Sequence, residues 1–428
     1  MKKIALYTLL CATVVASCRK DNSLDIPVEP SFPDPSKQLD SFKTILGTAP
    51  DGWVGALVPG SSNQLFSVYL QLDNGKGEAT LYSDLSATSA ATPSKSPFNV
   101  YVAQKVNPTI SFGAGSQLGD IKLVTKRGVD TAYAFRYVSG DTLVLLGNKY
   151  SDELRLVKAG AQVKTAYTSG KLQAVISQAT DFINNAGYLS LKQNNAPTMV
   201  YFNVSDKSVG FAAVANDIKT SAGSGYAYTT TGILLRHPVQ AGGQAFTTLN
   251  WDSDALNFYA TVDKAKAYLE QGALPPLPAH YLLGTELSGL QTLPSPGSLA
   301  LPGWSTDFKA IWNDMANKFK TRGFPLSKVV FDFQVPGVLN VNITFASYVG
   351  RYSFKYTRTA NGIYTFTPLP FATDAQGSNA NALSPQAKPL TDMLTNNRLA
   401  ISYATFPGGF LIGYTSVDKP SIGFTSIW

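Results

Sequence analysis

Cysteine and histidine are scarce, two of each in 428 residues. Cys11 and Cys18 both fall at the N-terminus, so the long remainder has no thiol for a disulfide or a soft-metal site, and stability must come from burying apolar surface. His237 and His280 lie outside any H-E-x-x-H spacing, which leaves no histidine metal motif. Charged residues make up only 15% of the chain. The basic ones are scattered, with Lys126-Arg127 and Arg19-Lys20 the densest pairs, and no basic stripe with interleaved aromatics marks a nucleic-acid surface. There is no P-loop and no G-x-G-x-x-G between strand and helix. The run nearest to a nucleophile elbow, Ala222-Gly-Ser-Gly225, lacks the G-x-S-x-G pattern. Glu78, Glu153 and Asp332 are the few acidic residues inside expected strands, so nothing marks a carboxylate pair for glycoside cleavage. The chain is therefore expected to be non-catalytic, with no cofactor and no metal. A secreted hydrolase without a recognisable motif is the alternative. Past Ala16 no apolar run approaches the roughly 20 residues of a membrane-spanning helix.

What is present begins at the first residue. Lys2 and Lys3 precede an apolar run, Ile4 to Val15, that stops at Val15-Ala16-Ser17-Cys18. A positive start, a short apolar stretch and small residues before a cut describe a secretory signal. Cys18 directly after Val-Ala-Ser resembles the bacterial lipobox, in which that thiol is diacylated and becomes the mature N-terminus. A chance cysteine behind an ordinary signal is the competing reading. Residues 1–17 are thus expected to be a signal peptide and 18–36 a lipidated cysteine with a proline-rich spacer that cannot form a helix or central strand. Without Lys2 and Lys3 the 35 basic residues fall to 33 against 28 acidic ones, a mild excess. Arg19-Lys20-Asp21 resembles the short charged signals some Bacteroidota lipoproteins use for display, and reads equally as a solvated linker. The expected location is the outer membrane, anchored through Cys18 and facing either the cell surface or the periplasm.

Beyond the spacer, Leu39, Phe42, Ile45 and Leu46 recur at helical spacing between Pro35 and Gly47. From there to about residue 158 the chain alternates with β-branched and aromatic residues, as in Phe66–Leu72, Glu78–Tyr82, Phe98–Val102, Thr131–Val138, Asp141–Leu146 and Glu153–Val157. Turns such as Asp73-Asn74-Gly75 separate them at hairpin spacing, which predicts an antiparallel meander curled into a barrel or sandwich over residues 37–165. A second unit, 166–282, opens with a helix carrying Leu172, Val175, Ile176, Ala179, Phe182 and Ile183. Strands are expected at Met199–Val204, Val209–Val214, Tyr226–Leu235, Ala245–Leu249 and Leu256–Thr261, then a short helix from Asp263 to Gly272. Residues 283–303 are rich in Pro, Gly and Ser and read as an exposed linker or long loop. The last unit, 304–428, begins with a helix at Thr306–Arg322 burying Phe308, Ile311, Trp312, Met315 and Phe319, and strands resume after it. The expected fold class is mainly β with accessory helices (α+β): an antiparallel barrel- or sandwich-like N-terminal domain, then two helix-plus-antiparallel-sheet units.

Those two units share an order of motifs. Tyr226-Ala-Tyr228 and Gly232-Ile233 to Pro238 in one match Tyr352-Ser-Phe354 and Gly362-Ile363 to Pro368 in the other. Duplication with loop insertions and coincidence both account for this.

Several motifs of the first third carry a resemblance: Ala49-Pro50-Asp51-Gly52-Trp53, Phe66 to Asp73, Leu81-Tyr-Ser83-Asp84, and Asp141 to Gly147. They are similar to an uncharacterised family of Bacteroidota outer-membrane lipoproteins, of the domain of unknown function 4302 type. Where family members carry a long Thr/Tyr-containing stretch, this chain has Ile110-Ser-Phe112-Gly-Ala-Gly. The resemblance implies a neighbour of outer-membrane uptake systems and carries over no chemistry. Read physically, Gly52 gives a sharp turn that drops Trp53 onto the sheet, and Asp84 caps a strand end.

Five Trp, 21 Tyr and 23 Phe against so little charge suit stacking on sugar faces or filling protein interfaces. Strand cores consume such rings too. Those expected on loops are Tyr188, Trp251, Tyr281 and Trp304, the candidate ligand contacts. The favoured expectation is a binding or accessory component of a glycan or nutrient uptake system, with a glycan or protein partner and no nucleic acid. A structural surface scaffold, pairing through its terminal Phe424 to Trp428 strand, is the alternative.

Overall fold

The computed structural model describes residues 34–123, 125–193, 196–285, 290–293 and 300–427. The expected signal sequence, Cys18 and the expected spacer up to residue 33 lie outside the described residues. The first helix, α1 (Pro35–Gly47), starts where proline and Asp34 set its first turn, the Asp34 carboxylate accepting from the Ser36 amide, and it buries Phe42 and Leu46. Gly52 then takes φ +85°, with its missing Cβ only 2.8 Å from the Leu70 carbonyl oxygen. Only glycine fits this turn. Trp53 lands in the core, as its motif implied, and its indole N–H donates to the Leu46 carbonyl at 3.2 Å.

Eight strands follow as an antiparallel meander: β1 (Trp53–Val58), β2 (Phe66–Asp73), β3 (Glu78–Ser83), β4 (Ser94–Ala103), β5 (Asn107–Phe112), β6 (Ala132–Ser139), β7 (Thr142–Gly147) and β8 (Glu153–Lys158). β8 pairs back onto β1, so the sheet closes into a barrel filled by inward residues such as Leu57, Val68, Leu81, Ile110, Leu145 and Leu156. Two buried acids tie one of its loops. Asp152 accepts from Arg127 at 2.8 Å and from the amides of Gly60 and Asp130, while Asp130 accepts from the amides of Lys149 and Tyr150.

The second unit opens with α2 (Ala161–Thr168) and α3 (Lys171–Asn185), the latter burying Leu172, Val175, Ile176 and Ala179 as its spacing predicted. Its strands are β9 (Tyr188–Gln193), β10 (Ala196–Asn203), β11 (Ser208–Ala215), β12 (Ile218–Thr229), β13 (Gly232–Ala241), β14 (Gln244–Asp252), β15 (Asn257–Val262), β16 (Ala265–Tyr268) and β17 (Glu270–Gly272). Two expectations are corrected. The stretch Tyr226–Leu235, read as one strand, is a hairpin in which Thr229 pairs Gly232 around Thr230-Thr231. Neither central residue is the Gly or Asn that would announce it, although Gly232 closes the turn at φ +139°. The short helix expected from Asp263 to Gly272 is instead β-structure. Asp263 and Lys264, at φ 48° and 68°, make a left-handed two-residue turn, after which β16 pairs β15 and β17 pairs β9 at the other end of the sheet. The chain from 265 to 272 thus ties the two ends of the sheet together, and that pairing overrides the helical propensity of Ala265-Lys-Ala-Tyr-Leu-Glu.

The stretch 283–303, expected as a linker, contributes β18 (Leu290–Leu293) to the third sheet, where it pairs β19 (Leu326–Asp332). Before it comes the short α4 (Ala279–Leu282) and after it α5 (Thr306–Thr321), capped by Ser305 and burying Phe308, Trp312, Met315 and Phe319. The sheet continues through β20 (Val338–Phe345), β21 (Tyr348–Arg358) and β22 (Ile363–Pro368), then β23 (Leu399–Phe406), β24 (Gly409–Ser416) and β25 (Gly423–Ser426). Between β22 and β23 stand two helices the sequence reading passed over, α6 (Ala375–Ala382) and α7 (Ser384–Asn396). The first is mostly Ala, Asn, Gly and Ser, and the second carries Pro389 in its interior. The matched motifs of the two units occupy like places, since Gly232 and Gly362 each precede or open a strand after an aromatic one, but β14 has no counterpart where α6 and α7 stand. The architecture is mainly β with accessory helices, α+β.

The units are joined by polar pins. Asp84 at the end of the barrel's β3 is buried, and it accepts from the amides of Ser67 (2.8 Å) and Tyr228 (2.7 Å) and from Lys207 Nζ (2.5 Å). Burial pushes the Asp84 carboxyl up and the Lys207 ammonium down. Between the second and third units, Arg358 donates to Asp217 at 2.9 Å and Tyr403 Oη donates to the Leu277 carbonyl at 2.7 Å. Among the described residues no helix is long and apolar enough to cross a membrane.

Candidate functional site: a groove along the second unit's helix

The face of α3 that is not buried is a stripe of Lys171, Ala174, Gln178, Asp181 and Asn185, spaced by three and four, so these side chains stack along one side of the helix. With about 1.5 Å of rise per residue, the stripe runs roughly 20 Å. It lines two adjacent cavities. The first, about 400 Å³, is walled by Lys171, Ala174 and Gln178 on the helix, by Asn250, Trp251 and Tyr259 on the strands and by Thr230, Thr231 and Ser253 in the turns between them. The second, about 310 Å³, is walled by Gln178, Asp181, Phe182, Asn185, Leu256 and Gln271. Gln178 belongs to both.

The strand wall is held rigid from behind. Trp251 packs edge-on against Phe258 at 4.9 Å and Phe182 at 5.9 Å, and its indole N–H donates to Gln178 Oε1 at 3.1 Å. That bond occupies the amide oxygen and orients the Gln178 NH₂ away from Trp251. Tyr259 is half-buried, with Lys266 Nζ 4.6 Å from its ring centroid. Lys266 and Tyr268 in turn donate to Asp252, at 2.9 and 2.7 Å. Together with the amides of Ala255 and Asp254 they hold the Asp252 carboxyl well below the usual carboxylate range. The groove thus offers an amide-rich floor, one ammonium at Lys171, one carboxylate at Asp181 and aromatic surface at Tyr259 and Trp251, an inventory that can hydrogen-bond a polyhydroxylated chain and stack on its faces.

The four aromatics singled out from sequence are not brought together. Trp251 lines the groove, but it sits on strand β14 rather than a loop, 8% exposed. Tyr188 is the first residue of β9 and packs edge-on against Phe410 at 5.7 Å, in the seam between the second and third units, where burial pushes its phenol up. Tyr281 lies in α4, not a loop, donating to Asp217 at 2.6 Å beneath the Arg358 guanidinium at 4.6 Å. Trp304 is on a loop, but it is buried against Phe308 and Trp312 and donates to the Thr425 carbonyl at 2.9 Å. Lys171, Gln178, Asp181, Asn185, Asn250, Tyr259 and Gln271 were missed. The signal was available on the helix already identified, since its polar stripe repeats at the same spacing as its apolar one. Among the described residues no group of three His, Cys, Asp or Glu is placed to hold a metal ion.

Residues 35–253, just over half of the chain, match the family described as Domain of unknown function (DUF4302). The match takes in the barrel, α3 and the strands through β14. No curated protein matches the chain.

Proposed function

From the premise that this chain belongs to the DUF4302 family, we propose that it is a lipid-anchored, non-catalytic binding component of an envelope uptake system, holding an extended glycan in the groove along α3. The observation that carries this reading is the polar stripe of α3 shared by two adjoining cavities at Gln178, faced by Tyr259 and Trp251. A groove of about 20 Å suits a linear ligand over a compact one. Its lining of amides, hydroxyls and aromatic faces favours neutral sugars over an apolar peptide. The Val-Ala-Ser-Cys18 run supports anchoring at an outer membrane of the Bacteroidota type, and the motifs from Gly52-Trp53 to Asp84 support a place beside uptake proteins. The test is a glycan array followed by calorimetry with Gln178→Ala. Neutral oligosaccharides are expected to bind the wild type and to lose about tenfold in affinity in the variant, in line with losing one or two hydrogen bonds. An array blank for the wild type, or binding indifferent to Gln178, refutes it.

A further inference from the structure

A third cavity, about 640 Å³, lies on the other side of the Thr230-Thr231 turn, between the barrel and the second unit. That volume is within the range of small-molecule sites, and junctions between packed units are where such sites concentrate. Its walls differ in chemistry from the groove. The outward residues Val54, Ala56 and Val157 of β1 and β8 face Leu234 of β13, with Val163 and Tyr167 of α2 beside them. Two arginines, Arg155 and Arg236, line the edge of this space. Arg236 donates to the carbonyls of Ser62, Gln64 and Pro59 and through Nε to His237 Nε2, which uses four of its five N–H groups on neutral acceptors. Among the described residues it has no carboxylate partner. Arg155 is paired with Glu153 through Nε, which leaves both terminal nitrogens of its fork unused by that bond. The two cations disfavour each other: burial, and then the Arg155 charge, push the Arg236 pKa down. A partly desolvated positive charge at the edge of an apolar cleft is relieved by an anion that brings its own apolar body.

We propose that this cleft binds an anionic amphiphile, a carboxylate on an alkyl chain, with the carboxylate on Arg155 and the remaining N–H of Arg236 and the chain along Val54, Val157 and Leu234. Charge complementarity selects the acid, and the apolar walls select its length. The two sites meet only at the Thr230-Thr231 turn, and neither arginine nor any apolar wall of the cleft lines the α3 groove, so glycan binding can fail without removing them.

The test is calorimetry of the mature chain with dodecanoate, dodecanol and acetate, each below its aggregation concentration. Dodecanoate is expected to bind at least about tenfold more tightly than dodecanol, as one charge-assisted pair implies, and acetate not measurably. Arg155→Gln, at a largely exposed side chain, is expected to bring dodecanoate to the level of dodecanol. Val163→Trp, which fills the cleft from α2, is expected to abolish both, while oligosaccharide binding is unchanged in either variant. Equal binding of acid and alcohol, no binding of either, or dodecanoate binding indifferent to Arg155→Gln or Val163→Trp overturns the proposal. Circular dichroism of each variant separates a filled cleft from a lost fold.

Discussion

Replacing Asp84 with alanine removes one carboxylate and strands three donors: the Lys207 ammonium and the amides of Ser67 and Tyr228. The side chains are 0% and 12% exposed for Asp84 and Lys207, so water cannot readily replace the lost acceptor. Breaking a buried ion pair from one side typically costs about 3–5 kcal/mol, because the surviving charge stays desolvated. Each orphaned amide adds a penalty of about 1–3 kcal/mol where it stays dry, with the contributions overlapping. The variant is therefore expected to lose at least about 3 kcal/mol of unfolding free energy. Since Ser67 is in the barrel and Tyr228 in the second unit, the loss should appear first as separation of the two. Urea unfolding reads both when followed by the fluorescence of variants that keep one tryptophan each, Trp53 to report the barrel and Trp251 the second unit. The double variant Asp84→Leu/Lys207→Met exchanges the pair for apolar groups of similar size and is expected to recover the part of the loss owed to the stranded ammonium, while the Ser67 and Tyr228 amides stay without their acceptor. A single-variant loss under about 1 kcal/mol, or a double variant as damaged as the sum of the singles, refutes the assignment of Asp84 as the pin.

Gly362→Ala should destabilise the third unit by about 1–3 kcal/mol, because a Cβ there falls 2.4 Å from His280 Nδ1 and the backbone is held at φ +73°, and thermal melting reads it. His280 itself makes stability fall in mild acid. Burial, then the Arg358 charge, depress its folded pKa below the unfolded value, so its contribution is present above about pH 6.5 and is lost as pH falls through the folded value. His280→Leu should flatten that part of a stability–pH curve; a curve unchanged between the two proteins refutes the linkage. For the proposed anchor, protease shaving of intact cells should remove the wild type if it faces outward and spare it if it faces the periplasm. Cys18→Ala should release it from the membrane fraction in either case, and an unchanged membrane fraction for the variant refutes lipidation at that thiol.

Long helices and barrel strands were legible because their signal is local. The three- and four-residue spacing of Leu172 to Ile183 and of Phe308 to Phe319 survives any tertiary context that buries one face, and alternation in Phe66 to Leu72 does the same for a strand. Closure of β1 onto β8 pairs Trp53 with Lys158, and nothing within either segment announces a partner so distant. The hairpins at Thr230-Thr231 and Asp263-Lys264 were illegible for the opposite reason. Their turn residues are ordinary, and the conformation is imposed by the strands they connect. At the site, aromatic side chains were a poor guide. Trp304 and much of Trp251 serve the interior, while the helix's own amides and ammonium shape the groove.

The Thr230-Thr231 turn is a wall two residues thick with a chamber on either side. A partition of that kind cannot lean into one room without leaving the other, so any effect that an occupant of the proposed groove site has on the proposed cleft site through this turn is thermodynamically reciprocal. Whatever factor one occupant imposes on the affinity of the second, the second imposes on the first.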